Sequence, residues 1–547
     1  MSEVKQILHP SGVPIRQMQG YNGMDQGGYE SGGAGFGGQL SEWIPGLMTE
    51  DMAQLPVLDL SHARADDLVR NHGYAAGGMR LHLDNIVGNH FKLNWQPKWR
   101  RLGWTEDQFM DIKRQVESLW SEFADDPRCY IDAERKRTFT QLVRASVSQH
   151  FNYGDAMAAA EWIKKPFGRY RTAIKMVSPK RVRNPDGVTT FDRTIRGGIK
   201  HGRHGEALGY YVANPNDNLL PMNFIGSGFK YIPKETRWGR TQFIHVFDPR
   251  DDGQSRGTNA LMSVMSQMHM LDKLQQTKLQ NAVVNAMYAA TIESELDSQQ
   301  AFEFMTGGED MQKNLWGWLA SVNQYNRGAN IRMNGVRIPH LMPGESLNLQ
   351  RPANADNGFS QLETSILQYL AAGIGCSFEQ LTHNFQNSNF SSARAALNES
   401  YRYFMGDRKF IAGRFATLIF SLWFEEAVAM GDIELPHQIN FWQERSALCR
   451  CNWIGAGRLS IDGIKEVKES ILLIESGLST YEKELAKLGE DYIEVFEQQM
   501  RERKIRQEKG LPPPSWVQAS TLAPDESTPE NATTNNGSSH ASNTGSI

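Results

Sequence analysis

The chain has 547 residues, a formal net charge of −4, 22% charged residues and 40% apolar ones. That length can bury a sizeable core and predicts more than one structural unit, with the composition of a globular protein. The charge argues against a strongly basic nucleic-acid binder, and no run of about 18 apolar residues is present that would cross a membrane.

In chain order, residues 1–40 are dense in glycine, from Gly20 to Gly38, and contain a GxGxGG string. A dinucleotide loop needs a buried strand before it and a helix after it, and neither is visible, so the stretch reads as a flexible arm. Residues 59–93 read as helix, turn, helix. Residues 104–164 look helical, with Phe109, Ile112, Val116, Leu119 and Phe123 on one face. Within them, Phe139–Ala160 is a second amphipathic run interrupted by a turn at Tyr153-Gly154-Asp155-Ala156. Residues 170–247 switch to short β-rich runs at Ile174–Met176, Ile199, Leu208–Val212 and Phe243–Phe247, separated by Gly- and Asn-containing turns.

His201 and His204, three apart in a glycine-rich turn, lack further ligands in sequence, so a metal site is not expected there. Asp248, Asp251 and Asp252 read as a solvated acidic turn. The four cysteines, Cys129, Cys376, Cys449 and Cys451, have no zinc-type spacing and read as reduced thiols. No cofactor is expected.

A long helix is predicted from Thr258, with Leu261, Val264, Met265, Met268, Leu271 and Leu274 at steps of three and four. Its methionine-rich stripe reads as adaptable core or as a seam. Residues 291–350 form an insertion holding Trp316 and Trp318, with a hairpin predicted at Asn334-Gly335, where both turn residues need positive φ. A helix resumes near Phe359 and weakens at Gly373 and Gly375. Thr382–Asn389 is a polar loop, with Ser391 or Ser392 expected to cap the next helix. That helix runs through 393–430 and is broken at Gly431. Phe441, Trp442 and Trp453 mark a packed return. Ile464, Val467, Ile471, Ile474 and Leu478 form a further helical seam, and a charge-laced helix reaches Arg506. From Leu511 the chain is rich in Pro, Ser, Thr and Asn and reads as disordered.

Several blocks carry a resemblance. They are Asp67-Leu68-Val69-Arg70-Asn71 and Asn85-Ile86-Val87-Gly88, the run from Ile195 to Tyr211, and Gln254-Ser255-Arg256-Gly257 after an Ile-His strand. Further on come Ala371–Gly375, Phe378–Thr382, Asn389–Arg394, Gly477–Thr480 and Gly489-Glu490-Asp491. In this order, over about residues 59–510, the sequence resembles the portal proteins of lambda-type tailed bacteriophages. It departs from their pattern at Asp66, where an arginine is usual, and at Gly463, where proline is common.

The resemblance implies an α+β portal-type subunit. It has a flexible arm over 1–58, an α/β wing over 59–257, and a first stem helix at 258–290. A small β-containing clip follows at 291–357, then a second stem helix at 358–376 and a tunnel loop region at 377–392. A long helix returns to the wing over 393–457, a helical crown spans 458–510, and a disordered tail covers 511–547. It further implies a homo-oligomeric ring, usually of twelve subunits, at one capsid vertex of the virion, assembled in the host cytoplasm. Double-stranded DNA would pass through the ring during packaging and ejection. The implied partners are terminase, the major capsid and scaffold proteins, and head-completion or tail connector proteins. The loop residues His383, Asn384, Gln386, Asn387 and Asn389 would then face the DNA channel, and none of them is Lys or Arg.

Two other classes are weighed. A hydrolase would draw on Ser391, Ser392 and His383, but there is no Gly-x-Ser-x-Gly elbow and no Gly-Lys-Ser/Thr phosphate loop. A capsid shell or scaffold-associated protein is the other structural alternative. No enzyme activity is expected.

Overall fold

Helices with one apolar face meet short, fully buried strands, and the core forms at that meeting. The computed structural model describes residues 46–190, 192–214, 228–288, 331–333, 336–338, 355–386, 389–436, 439–458 and 463–514. The chain divides into two units, Met1–Asp462 and Gly463–Ile547. The first begins with α1 (Glu50–Gln54), α2 (Leu58–Asn71), α3 (Gly73–Ile86), β1 (Lys92–Trp95), α4 (Glu106–Ala124) and α5 (Phe139–Tyr153). Seven strands follow: β2 (Asp155–Trp162), β3 (Thr172–Met176), β4 (Ile195–Arg196), β5 (Ile199–His201), β6 (Ala207–Ala213), β7 (Phe229–Pro233) and β8 (Phe243–Phe247). Then come α6 (Met265–Tyr288), the hairpin strands β9 (Ile331–Met333) and β10 (Val336–Ile338), α7 (Ala355–Ile374) and α8 (Phe378–Thr382). The unit closes with α9 (Phe390–Asp407), a π-helical turn (Arg408–Ala412), α10 (Gly413–Ala429), α11 (Phe441–Leu448) and β11 (Cys451–Ile454). The second unit holds α12 (Gly463–Glu475), α13 (Tyr481–Leu488) and α14 (Tyr492–Glu508). This is the α+β class that the sequence predicts.

The helix starts are written locally. Thr105 and Gln108 form a reciprocal capping box for α4, and Thr138 and Gln141 do the same for α5. Residues 104–164 are not all helical, however. After Gly154, the run Asp155-Ala-Met-Ala-Ala-Ala becomes β2, the central strand of a sheet ordered β3-β2-β8 and antiparallel throughout. Burial on both faces explains the continuous apolar run, which helical periodicity alone misreads. A second sheet, β4-β5-β6-β7, is a meander. The β1–β11 pair joins Lys92–Trp95 to Cys451–Ile454 across the length of the unit.

That pairing brings distant aromatics together. Trp120 packs edge-on to Phe139 at 4.9 Å, Trp423 at 5.2 Å and Phe420 at 5.4 Å between ring centroids, and Phe91 stacks on Trp453 at 5.5 Å. Leu261, Val264, Met268 and Leu271 are fully buried in the same cluster, as are Leu370 and Ile374 of α7. The predicted long helix begins at Met265 rather than Thr258, because 260–264 is folded as turns. Its methionines divide: Met268 is core, while Met270 is 65% exposed.

Gly373 lies inside α7 rather than ending it. A Cβ there would stand 2.3 Å from Val264 Cγ1, so the glycine permits close approach of α7 to the chain before α6. Gly375, with φ +83, is the terminator. The β9–β10 register pairs Met333 with Val336, as the predicted Asn334-Gly335 hairpin requires, although those two turn residues lie outside the described ones. The glycine-dense residues 1–40, Trp316, Trp318 and residues 515–547 also lie outside them.

Candidate functional site

The segment from α7 to α9 is held at both ends. At its start, His82 donates from Nε2 to the Ile374 carbonyl at 3.1 Å, satisfying a carbonyl that the ending helix leaves free. Burial pushes the His82 imidazole down to about 4, so the ring acts as a neutral donor. Ser377 and Gln380 then form a capping box for α8. Leu381 and Ile374 pack over Gly78 of α3.

The loop itself is built from side chains bonded to backbone. Thr382 belongs to α8, and its Oγ1 donates to the Phe378 carbonyl at 2.8 Å and accepts from Asn384 N at 3.3 Å. His383 sits at φ +54, a left-handed residue that turns the chain out of the helix. Asn384 Oδ1 accepts from Gln386 N at 3.1 Å, an Asx-type turn. Asn389 Oδ1 accepts from Ser392 N at 2.8 Å, and Ser392 Oγ returns a bond to the Asn389 carbonyl at 3.0 Å. Asn389 is therefore the cap of α9, and neither Ser391 nor Ser392 is. The helix starts three residues before the predicted 393, and the extra turn moves the cap with it.

His383, Asn384, Gln386 and Asn389 are all exposed, and Asn387 lies outside the described residues. The two asparagine oxygens are spent on the loop's own N–H groups. Their amide nitrogens, and the Gln386 side chain, have no partner among the described residues. The loop thus presents uncharged N–H donors outward.

Residues quoted only as sequence matches acquire physical reasons. Asp155 and Arg256 are both fully buried. Arg256 donates from Nε to Asp155 Oδ2 at 2.6 Å, and its two terminal nitrogens reach the carbonyls of Val182, Gly197 and Pro179 at 2.8–3.0 Å. Asp155 Oδ1 also accepts from Gly257 N at 2.7 Å and from His245 Nε2 at 2.9 Å. Burial alone would raise the Asp155 carboxyl, but the Arg256 charge and these hydrogen bonds hold it well below the usual carboxylate range. Beside them Gly154 and Gly257 cross so closely that a Cβ on Gly257 would stand 2.0 Å from the Gly154 carbonyl oxygen. Sequence reading quoted Tyr153-Gly154-Asp155 and Gln254–Gly257 separately, with no signal that they touch.

Arg408 carries no signal in the sequence that singles it out. It is 5% exposed, and its guanidinium donates to the carbonyls of Ile86, Asn85 and Ala456, each at 2.7 Å. The Asn85–Gly88 match thus ends α3 where the arginine collects its carbonyls. Asp66, the departure from the family pattern, accepts from the Tyr153 hydroxyl at 2.6 Å and pairs with Lys180.

The sequence of residues 36–408 matches the model of a family described as phage portal protein, lambda family. The chain belongs to the lambda family of phage portal proteins. It is 50% identical over 522 residues to the portal protein of Escherichia phage N15, covering 94% of this chain and 96% of that one. It is 48% identical over 519 residues to portal protein B of Escherichia phage lambda, covering 94% and 95%. Among solved structures, a chain of a native gene transfer agent virion matches with a TM-score of 0.37 and 11% identity, covering 83% of this chain and 94% of that one. A chain of that particle's neck, computed with C12 symmetry, matches with a TM-score of 0.35 and 11% identity over 78% and 93%. These structural likenesses are too slight to add to the family membership.

The hydrolase alternative finds no support in the geometry. His383 is exposed and turned out of α8, while Ser392 is spent on the α9 cap. A Ser–His–Asp grouping does occur elsewhere: Ser255 Oγ lies 3.1 Å from His201 Nε2 and donates to Asp51 Oδ2 at 2.7 Å. The carboxylate sits on the serine instead of orienting the histidine, and Ser255 is 2% exposed, so the order that activates a nucleophile is missing. Both nitrogens of His201 are occupied, Nδ1 by the Gly205 carbonyl at 3.1 Å.

Proposed function

We propose that the chain assembles into a homo-oligomeric ring at a single capsid vertex, a conduit for double-stranded DNA and a docking platform for the packaging motor and head-completion proteins. Membership of the portal family over residues 36–408 carries this reading. Within it, α6 and α7 are the stem helices, the insertion 291–357 with its β9–β10 hairpin is the clip, and α12–α14 belong to the crown. The loop after α8 faces the DNA through His383, Asn384, Gln386, Asn387 and Asn389. What favours the loop is its chemistry. Outward amide donors touch phosphate oxygens by single exchangeable bonds and add none of the counterion release that makes lysine and arginine contacts tight.

Negative-stain imaging with light scattering tests the assembly: a closed ring with a central hole is expected, and a monomer or a shell fragment overturns it. Replacing 291–350 by a short Gly-Ser linker should keep a folded body and abolish motor docking. For the loop, Gln386→Lys with Asn387→Lys should slow DNA translocation most at low salt while assembly is unchanged. Asn389 is left intact in that test because its loss would uncap α9. Wild-type packaging by the double-lysine ring would remove the loop from the channel.

A further inference from the structure

The first described residues are fastened to the chain that leads into α6. Asp51 and Gln54 of α1 are each 6% exposed. Asp51 accepts from Ser255 N and Oγ, each at 2.7 Å, and pairs with Arg196 at 3.1 Å. Gln54 Nε2 donates to the Gly257 carbonyl. Glu50 Oε1 accepts from Thr258 Oγ1 at 3.2 Å, and Ser61 Oγ of α2 accepts from Asn259 Nδ2 at 3.4 Å. Residues 50–61 thus meet Ser255, Gly257, Thr258 and Asn259.

What these bonds hold is a junction. Residues 255–264 start at the buried Asp155–Arg256 pair and end at α6. Ala260 N donates to the Phe151 carbonyl of α5 at 3.0 Å, and Met265 and Met268 donate to the carbonyls of Leu261 and Val264, each at 2.9 Å. Val264 also lies against Gly373 of α7. The β3-β2-β8 sheet, α6 and α7 therefore all touch this one stretch.

The fastening is polar on one side and open on the other. Leu55 and Leu58 are buried, yet neither packs into the main core, whose members begin at Ala65. Met52, Val57 and Leu60 are exposed. A cavity of about 400 Å³ lies beside the segment, lined by Thr49, Asp51, Met52 and Leu55 together with Arg196 and His201. A five-residue helix is too short to hold itself together, so α1 persists only while its side-chain bonds do.

We propose that residues 50–58 are a releasable strap. Docked, they lock the 255–264 junction from which α6 departs. Undocked, they leave the core intact while the junction and the first turn of α6 loosen. Hydrogen bonds of this kind exchange for bonds to water with a small net change, so the strap can open locally without global unfolding. A pull on the chain before Glu50 then reaches α6 and leaves the body folded. The strap is independent of the ring and channel reading, which stands whether or not it releases.

Hydrogen exchange of the full chain, read by mass spectrometry in peptides covering 259–268 and in α10, tests this. Asp51→Ala/Gln54→Ala removes the bonds to Ser255 and Gly257, and Arg196, 26% exposed, keeps access to water. Exchange over 259–268 should speed up at least about tenfold, since charge-assisted bonds leave the closed state, while α10 stays within about twofold of wild type. Gln54→Ala alone, which removes no charge, should give the same pattern at about two- to fivefold. Met52→Ala, on an exposed side chain of α1, should change neither region. Faster exchange confined to α1 itself overturns the proposal, because the junction then needs no strap. A double variant that fails to fold, or in which α10 accelerates as much as 259–268, overturns it as well, because residues 50–58 would then be part of the core.

Discussion

Arg256 and Arg408 are both buried, and they solve the problem of a buried cation in opposite ways. Arg256 is balanced by a full negative charge, Asp155, which His245 and Gly257 also bind. Arg408 has no carboxylate partner among the described residues and rests on three carbonyls, two of them at the C-terminal end of α3. There the helix dipole supplies partial negative charge. The difference is in what is left when the arginine goes. Around Arg256 it strands a charge; around Arg408 it strands only dipoles.

The largest expected effect follows directly. Arg256→Met should destabilise the fold by about 3–5 kcal/mol, since it leaves Asp155 buried and uncompensated. Asp155→Leu in the same background should restore part of that loss, which chemical denaturation of the single and double variants would measure. A double variant as unstable as the sum of the singles would break the comparison.

Arg408→Met should cost about 2–3 kcal/mol, less than Arg256→Met, and Arg408→Lys should recover little because a single ammonium nitrogen cannot span carbonyls served by two separate guanidinium nitrogens. An Arg408 loss exceeding the Arg256 loss would mean that dipoles hold the charge better than an ion does here.

The buried histidines and Asp407 also answer pH with opposite signs. Near Arg256, burial pushes His62 down to about 4, and it lowers His245 as well. His82, beside the α7 end, is also pushed down to about 4. A folded-state value below the unfolded one of about 6.5 means that the unfolded chain takes the proton first. Stability should therefore be lost as pH falls from about 6.5 towards 4, by roughly 3 kcal/mol for each of His62 and His82. Next to Arg408, burial and then Asp248 push Asp407 up to about 7. Its sign is the reverse: stability is lost as pH rises through about 7. Asp407→Asn should raise stability at pH 8 by about 1–3 kcal/mol and do less at pH 5, in paired thermal melts.

The smallest effects belong to the exposed loop. Asn389→Ala should cost about 1 kcal/mol as a lost helix cap, while Gln386→Ala should stay within about 0.5 kcal/mol. A larger loss at Gln386 in the same melts would show that the loop is packed rather than displayed.

Much of this arrangement was legible in the sequence where the signal is local. The glycine end of α7, the hairpin at Asn334-Gly335 and the strand at Phe243–Phe247 all follow from neighbouring residues. The β1–β11 pair was not legible, because Lys92–Trp95 carries no sign of a partner so far along the chain. Nor was the role of Arg408, which in sequence is one charge among several on a helix. At the candidate loop, exposure and neutrality could be read, but the cap could not. Ser391, Ser392 and Asn389 are all good caps, and only the backbone decides which one ends outside the helix.

The π-helical turn at Arg408–Ala412 has a consequence for chain length. A turn of this kind holds one residue more than the α-helical path around it needs. Phe410, 59% exposed, lies within it and contributes nothing to the core. Deleting Phe410 should let the turn relax to an ordinary α-helix while Phe404 before it and Phe415, Phe420 and Trp423 after it keep their facing. Deleting Thr417, within α10, would instead swing every later side chain by about 100° and carry Trp423 out of the aromatic cluster. The long helix therefore carries its own slack, spent at one place, and shortening the chain there should leave a cooperative melt that the other deletion loses.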